Sequence, residues 1–317
     1  MNILTELGYF FTDPLMQRSL IAAVIVGVAA PIMGTYLVQR KLSLLGDGIG
    51  HVALTGVALG WIVGAGMGLV ERDALAIPGA VVAAVTGAVA IEFVRERGKT
   101  SGDVALALLF YSGIAGGVVL IGLAGGTNAN LMAYLFGSIS TVTTLDLSMI
   151  AALGVVIIAV GVGMRSLLFT ISNDEEFARA SGLPVRAANI VIAVIAALTV
   201  TVSMRVVGLL LVSAIMILPV AVAQLMTASF KTTMRVAMIV GVIVTVGGLM
   251  ITYWVPLSPG ATIVMLAVLA YTLVAILKPL LATKNGRGHD PHPDVPDDVA
   301  LEGVQGALTK EGASCNE

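Results

Sequence analysis

Leu147-Ser-Met-Ile-Ala-Ala-Leu-Gly-Val-Val-Ile-Ile-Ala-Val-Gly-Val-Gly-Met164 runs for eighteen residues without a charge, with Asp146 immediately before it and Arg165 immediately after. A bilayer core about 30 Å thick is crossed by about 20 helical residues, so this stretch reads as a membrane span. Asp146 sits where a carboxylate complements the positive end of the helix that follows. The pattern repeats on both sides, in Ser19–Val38, Val104–Ala124, Ile190–Val202, Val236–Thr252 and Thr262–Leu277. Only 11% of the chain is charged, against about 25% in soluble domains, and the mean hydropathy is +1.01. The fold class is therefore all-α, a polytopic transmembrane helical bundle of eight or nine spans. Its solvent is the lipid bilayer, and nothing in the composition suits a nucleic-acid partner.

Between charged loops the predicted spans are 17–38, 49–69, 76–94, 104–124, 146–166, 187–204, 206–226, 235–254 and 261–280. Leu131–Thr141 is too short to span and too apolar for a plain loop, which predicts a re-entrant or interfacial helix buried in protein or lining a cavity. With the N-terminus outside, fourteen of the seventeen Lys and Arg residues fall on cytoplasmic segments, leaving Arg18, Arg72 and Arg205 outside. Basic loops stay inside, so the C-terminus is expected in the cytoplasm. Residues 1–14 lack the basic and small-residue signature of a cleaved signal peptide. The permease domain is expected over 1–283, followed by an acidic, disordered tail over 284–317. His289, His292, Asp290 and Asp294 in that tail offer at most a loose metal site, and the single Cys315 excludes an intramolecular disulfide framework.

One loop is chemically distinctive: Ser172-Asn-Asp-Glu-Glu-Phe-Ala-Arg-Ala-Ser-Gly-Leu-Pro184. Ser172 with Glu175, or Asn173 with Glu176, forms a capping box, and acids in the first turn favour the helix N-terminus. Gly182 supplies a left-handed stop and Pro184 forbids continuation. A short helix results, with Phe177, Ala178 and Ala180 available to a partner.

This loop resembles the coupling-helix loop of the zinc, manganese and iron-type ABC permeases, the ABC-3 family. The similarity continues in Leu37-Val-Gln-Arg-Lys-Leu-Ser-Leu-Leu-Gly-Asp-Gly-Ile-Gly-His51 with Leu54–Gly60, in Ser101–Phe110, in Leu135–Ser138, in Val207–Ala214 with Leu218-Pro219, and in Pro259–Ile263. Together these run from about residue 16 to residue 280. The resemblance implies a permease that pairs with a second copy of itself and receives ABC ATPase subunits under its coupling helix. It also implies metal delivery by an extracytoplasmic metal-binding protein at a bacterial inner membrane. On that reading Asp174, Glu175, Glu176, Phe177, Ala178, Arg179, Gly182 and Pro184 make or shape the ATPase contact. No Walker A sequence is present, so the chain is expected to be a transport subunit and not an enzyme, with ATP hydrolysed by a partner. Gly50 stands where the family commonly has a small hydroxyl residue, and Thr55 where it has Pro or a small residue.

Asp47 and His51 stand four residues apart, on one helical face near the start of the second span. A carboxylate and an imidazole suit Zn²⁺, Mn²⁺ or Fe²⁺, and two ligands from each of two copies could converge on an ion. The plainer alternative makes Asp47 a helix cap and His51 a packed or internally bonded residue. No permanently bound cofactor is expected, and the metal is cargo; imidazole favours zinc, carboxylate permits manganese, and zinc is the first expectation. Glu92 and Asp103 read as solvated interfacial charges. Arg205 interrupts an apolar run and reads first as a turn at the membrane surface, second as an outer gate. The rival functions are a permease for chelated iron or cobalamin, and an ion-coupled secondary transporter. The latter needs coupling acids deep in its spans, and such acids are scarce here.

Overall fold

The computed structural model describes residues 13–68, 72–96, 102–125, 128–137 and 142–282. Within them the chain forms α1 (Pro14–Gln39), α2 (Leu45–Gly66), α3 (Ala76–Glu96), α4 (Gly102–Leu123), α5 (Asn128–Phe136), α6 (Thr144–Gly163), α7 (Arg165–Asn173), α8 (Glu175–Ala180), α9 (Val185–Met204), α10 (Val212–Met226), α11 (Phe230–Trp254) and α12 (Pro259–Ala282). Two 3₁₀ turns, Arg72–Leu75 and Leu209–Leu211, precede α3 and α10. Nine stretches among the described residues are long and apolar enough to cross a membrane: α1 to α4, α6, α9, the Leu209–Met226 unit containing α10, α11 and α12. They belong to one compact unit ending at Lys278; beyond it only the last residues of α12 are described.

Local chemistry sets the helix ends. Asp13 caps α1, its carboxylate accepting from the Leu15 amide at 2.9 Å, with Pro14 at the first helical position. Thr143 and Asp146 form a reciprocal capping box at the start of α6, the Asp146 amide donating to the Thr143 hydroxyl at 3.1 Å and the Thr143 amide to Asp146 at 3.0 Å.

The bundle is built around α1, α2 and α9. In α9, 78% of the apolar window is buried, against 17% in α12 and 22% in α4, which places the latter two at the periphery. Around the centre, α2 packs on α3 and α4, α11 on α1, and α9 on α3. One end of the bundle carries Arg40, Glu92 and Glu175; α6 crosses from the other end, which carries Trp61, Tyr134, Asp146 and Arg205.

Several boundaries differ from the sequence reading. The second span begins at Leu45 and not at 49, because Leu45 is buried and continues the apolar face; Asp47 consequently lies in the first helical turn. The fifth span ends at Gly163 and the chain turns into α7, an amphipathic helix that the sequence reading folded partly into the span and partly into the loop. Since α7 runs through Asn173, neither Ser172 nor Asn173 can cap the helix that follows. The cap is Asp174, whose carboxylate accepts from the Phe177 amide at 2.8 Å. The expected short helix over Leu131–Thr141 is α5, displaced toward the N-terminus; Ser138–Thr141 and the 284–317 tail lie outside the described residues.

Candidate functional site

Asp47 and His51 share one face of α2, a turn apart, as the spacing requires. No side chain caps the α2 N-terminus, whose first flanking residue is Leu44, and Asp47 is not used as a cap. Its carboxylate Oδ1 instead accepts a hydrogen bond from the Ser213 hydroxyl, one residue into α10. His51 is 6% exposed, and its Nδ1 has no hydrogen-bond partner among the described residues. Phe110 of α4 meets the imidazole edge-on, with ring centroids 4.5 Å apart. A buried imidazole nitrogen without a partner forfeits its hydration, at about 1–3 kcal/mol, unless something else engages it.

Close packing fixes this histidine. A Cβ on Gly113 would stand 2.6 Å from the His51 carbonyl carbon, so α4 lies directly on the α2 backbone here. One turn further along α2, the Thr55 hydroxyl donates to the Gly113 carbonyl at 2.9 Å and pins the same crossing. Gly50 faces Leu209, where an added Cβ would meet Leu209 Cδ1 at 3.1 Å. Gly46 faces Ser213, a Cβ there standing 3.5 Å from Ser213 Cβ, so the small residues of α2 let α10 approach the carboxylate. Among the described residues no group of three or more His, Cys, Asp or Glu side chains is gathered for a metal, so one chain offers this site the Asp47–His51 pair.

The second constellation is α8 and its surroundings. Gly182 has φ +75°, its amide donates to the Arg179 carbonyl, and the Leu183 amide donates to the Ala178 carbonyl, both at 3.1 Å. This pair of hydrogen bonds over a left-handed residue is a Schellman stop, with Pro184 just beyond it. Glu175 ties the helix down: it accepts from Arg40 at 3.3 Å, from Arg179 at 3.0 Å and from Asn189 at 3.5 Å. Arg40 is buried, which pushes its pKa down, while the charges of Glu92 and Glu175 oppose the shift. A cleft of about 740 Å³, lined by Glu92, Arg95, Glu175, Arg179 and Arg186 among others, opens beside it. Two sequence expectations are corrected. Ala178 is fully buried, on the side of α8 turned to α7 and α9, whereas Phe177 is 62% exposed and Glu176 and Arg179 also face outward. Glu92 is not a solvated interfacial acid but a buried one, paired with Arg95 at 2.9 Å because the end of α3 is covered by neighbouring elements. The side chain of Asp103 lies outside the described set.

The third constellation, at the other end, was only partly legible. Arg205 is 5% exposed and donates to Asp146 Oδ1 at 3.0 Å, so it is not a solvated surface turn. Its guanidinium lies 5.2 Å from the ring centre of Tyr134, which in turn packs edge-on to Trp61 at 5.5 Å. The acid partner comes from 59 residues earlier, a separation that no local pattern reveals. Ser213 was likewise missed as a site residue, although it lies in the quoted Val207–Ala214 stretch; an uncharged hydroxyl in an apolar run gives no signal of its long-range partner.

Comparison with known proteins decides the family. The sequence profile of the ABC 3 transport family matches residues 12–278. The chain belongs to that family. It is 29% identical over 280 residues to the manganese transport system membrane protein MntC of Halalkalibacterium halodurans, covering 87% of this chain and 93% of that one. It is 30% identical over 265 residues to the manganese import system permease protein ScaB of Streptococcus parasanguinis, covering 83% and 91%. Among solved structures it is similar to PsaBC from Streptococcus pneumoniae in complex with Fab, with TM-score 0.77, 28% identity, and coverage of 89% of this chain and all of that one. This ABC 3 chain is thus a multi-pass helical membrane protein of a transport family.

Proposed function

We propose that this chain is the membrane-spanning permease subunit of an ABC importer that carries a divalent transition metal into the bacterial cytoplasm. Asp47 and His51 are the groups the ion meets in transit. The observation that carries the reading is this pair itself: an acid and an imidazole on one face of a central span, the imidazole buried with no hydrogen-bond partner for Nδ1 among the described residues. Intramembrane ionisable groups are costly unless paired, hydrated or ligating. Two groups do not complete the shell of a four- or six-coordinate ion, which favours a second copy of the chain facing the first. The names of the relatives turn the sequence-based preference for zinc toward manganese, with zinc as the competitor. An oxygen donor beside an imidazole accommodates either.

The end bearing Arg40, Arg95, Arg179 and Arg186 is assigned to the cytoplasm by the distribution of basic residues. There α8 meets the ATPase, with Glu176, Phe177 and Arg179 in contact and Asp174, Gly182 and Pro184 shaping the helix. Ala178 serves from behind, by packing. An extracytoplasmic metal-binding protein delivers the ion at the opposite end, where the buried Arg205–Asp146 pair closes the mouth. The test is uptake of Mn²⁺ and of Zn²⁺ by the permease reconstituted with its ATPase and binding protein. Asp47→Asn keeps size and removes charge, and His51→Gln removes the imidazole. Both should lose most metal flux while inserting normally. Parental rates in both variants would overturn the assignment.

A further inference from the structure

We infer that Ser213 is a positioning residue for metal transit: its hydroxyl holds one oxygen of the Asp47 carboxylate so that the other is presented to the ion. This inference rests on the reading of Asp47 as a transit ligand and deepens it. Ser213 is 8% exposed, lies in the first turn of α10, and donates to Asp47 Oδ1 across a sequence separation of 166 residues. An ionised carboxylate is purely an acceptor with about four lone-pair sites, so one hydroxyl can occupy Oδ1 and leave Oδ2 free. A hydroxyl donating to a charged oxygen makes one of the stronger hydrogen bonds available to a side chain.

The placement of Ser213 is itself fixed by close backbone contacts. It follows the Leu209–Leu211 turn, and Gly208 ahead of that turn has φ +89° and touches the end of α5, where an added Cβ would stand 2.3 Å from the Gly137 nitrogen. At the start of α12, a Cβ on Gly260 would stand 1.7 Å from the Val207 carbonyl oxygen, so this turn is gripped from a second side. Ser258 adds a hydrogen bond to the Phe136 carbonyl at 3.1 Å. The hydroxyl that orients the ligand is therefore held by the joint of α5, α10 and α12, and Gly46 on α2 leaves the room for it. Removal of outer-shell partners of metal ligands lowers metal affinity by about 10–100-fold, which sets the expected size of the effect.

The experiment uses the full importer in proteoliposomes with Mn²⁺ as the probe, comparing Ser213→Ala, Ser213→Thr, Asp47→Asn and the double variant Asp47→Asn/Ser213→Ala. Ser213→Ala should raise the KM for Mn²⁺ at least tenfold with unchanged maximal rate and unchanged membrane content. Ser213→Thr, which keeps the hydroxyl, should return KM to within about twofold of the parent, and Ser213→Ala should add nothing in the Asp47→Asn background. A parental KM in Ser213→Ala, a threonine variant as impaired as the alanine one, or full additivity in the double variant would overturn the inference. Impaired Asp47→Asn with parental Ser213→Ala defeats the positioning role alone, whereas parental Asp47→Asn defeats the ligand reading beneath it. Should Ser213→Ala fail to accumulate, Ser213→Gly, which likewise lacks the hydroxyl, replaces it, and a parental KM there is equally fatal.

Discussion

At Gly113 the absence of a side chain decides the geometry of His51 more than any polar contact does. A Cβ there would press within 2.6 Å of the His51 backbone and 2.9 Å of its Cβ, with α2 backbone and no flexible side-chain tip to yield. Gly113→Ala should therefore part α4 from α2, stretch the Thr55–Gly113 hydrogen bond and cost about 1–3 kcal/mol, the range of overpacking a close-fitted core. Gly66→Ala is the control. Nothing lies within 4 Å of that position, so only helix propensity changes, in the stabilising direction. Thermal unfolding of the solubilised protein reads both, and an equal response at the two sites would remove the close-approach argument. The ion pairs differ on similar grounds. Asp146 and Arg205 are 7% and 4% exposed at their side chains, so Asp146→Ala strands a buried guanidinium and should cost about 3–5 kcal/mol. Glu175 is 37% exposed and Arg179 72%, and a pair so solvated contributes about 0–1 kcal/mol. Loss of stability in Arg179→Ala comparable to that in Asp146→Ala would contradict this ranking.

For the short helix α8, shape matters more than strength. Six residues cannot hold themselves helical in water, so the element exists through Asp174 at its start, the Gly182 stop at its end and the Glu175 contacts to Arg40 and Asn189. Gly182→Val places a β-branched residue at φ +75°, a strain of about 1 kcal/mol or more, with open space around it and hence no clash to confound the result. The protein should insert in parental amount while metal-linked ATPase stimulation and uptake both fall. Normal coupling in that variant would remove α8 from the ATPase contact. Much of this element was legible: the glycine, the proline and the acids of the first turn are local signals. Its cap was not, because Ser172, Asn173 and Asp174 are all competent caps and only the extent of α7 decides among them. The burial of Ala178 escaped for a related reason, since which side of a six-residue helix faces the bundle is set by α7 and α9.

Across the whole molecule, span number and order were readable because bilayer thickness sets a minimum length for every crossing apolar run, and the nine candidate spans among the described residues follow the predicted sequence with edges moved by a few residues. The pairings between spans were not readable, since Ser213 with Asp47 and Arg205 with Asp146 join residues far apart in a chain whose apolar faces all look alike. Orientation in the membrane belongs to this scale and yields a direct prediction. With Cys315 replaced by serine, single cysteines at Glu176 and Leu257 report opposite ends of the bundle: Glu176 lies in α8 and Leu257 in the exposed link between α11 and α12. Along the sequence, fourteen of the seventeen basic residues fall on the alternate loops that include the α8 segment, and the proposed orientation puts those loops in the cytoplasm because positive loops resist translocation. A membrane-impermeant maleimide applied to intact cells should therefore label Leu257→Cys and spare Glu176→Cys, with permeabilisation exposing both. The reverse pattern would turn the permease over, set the ATPase contact on the wrong face of the membrane, and defeat the importer reading as a whole.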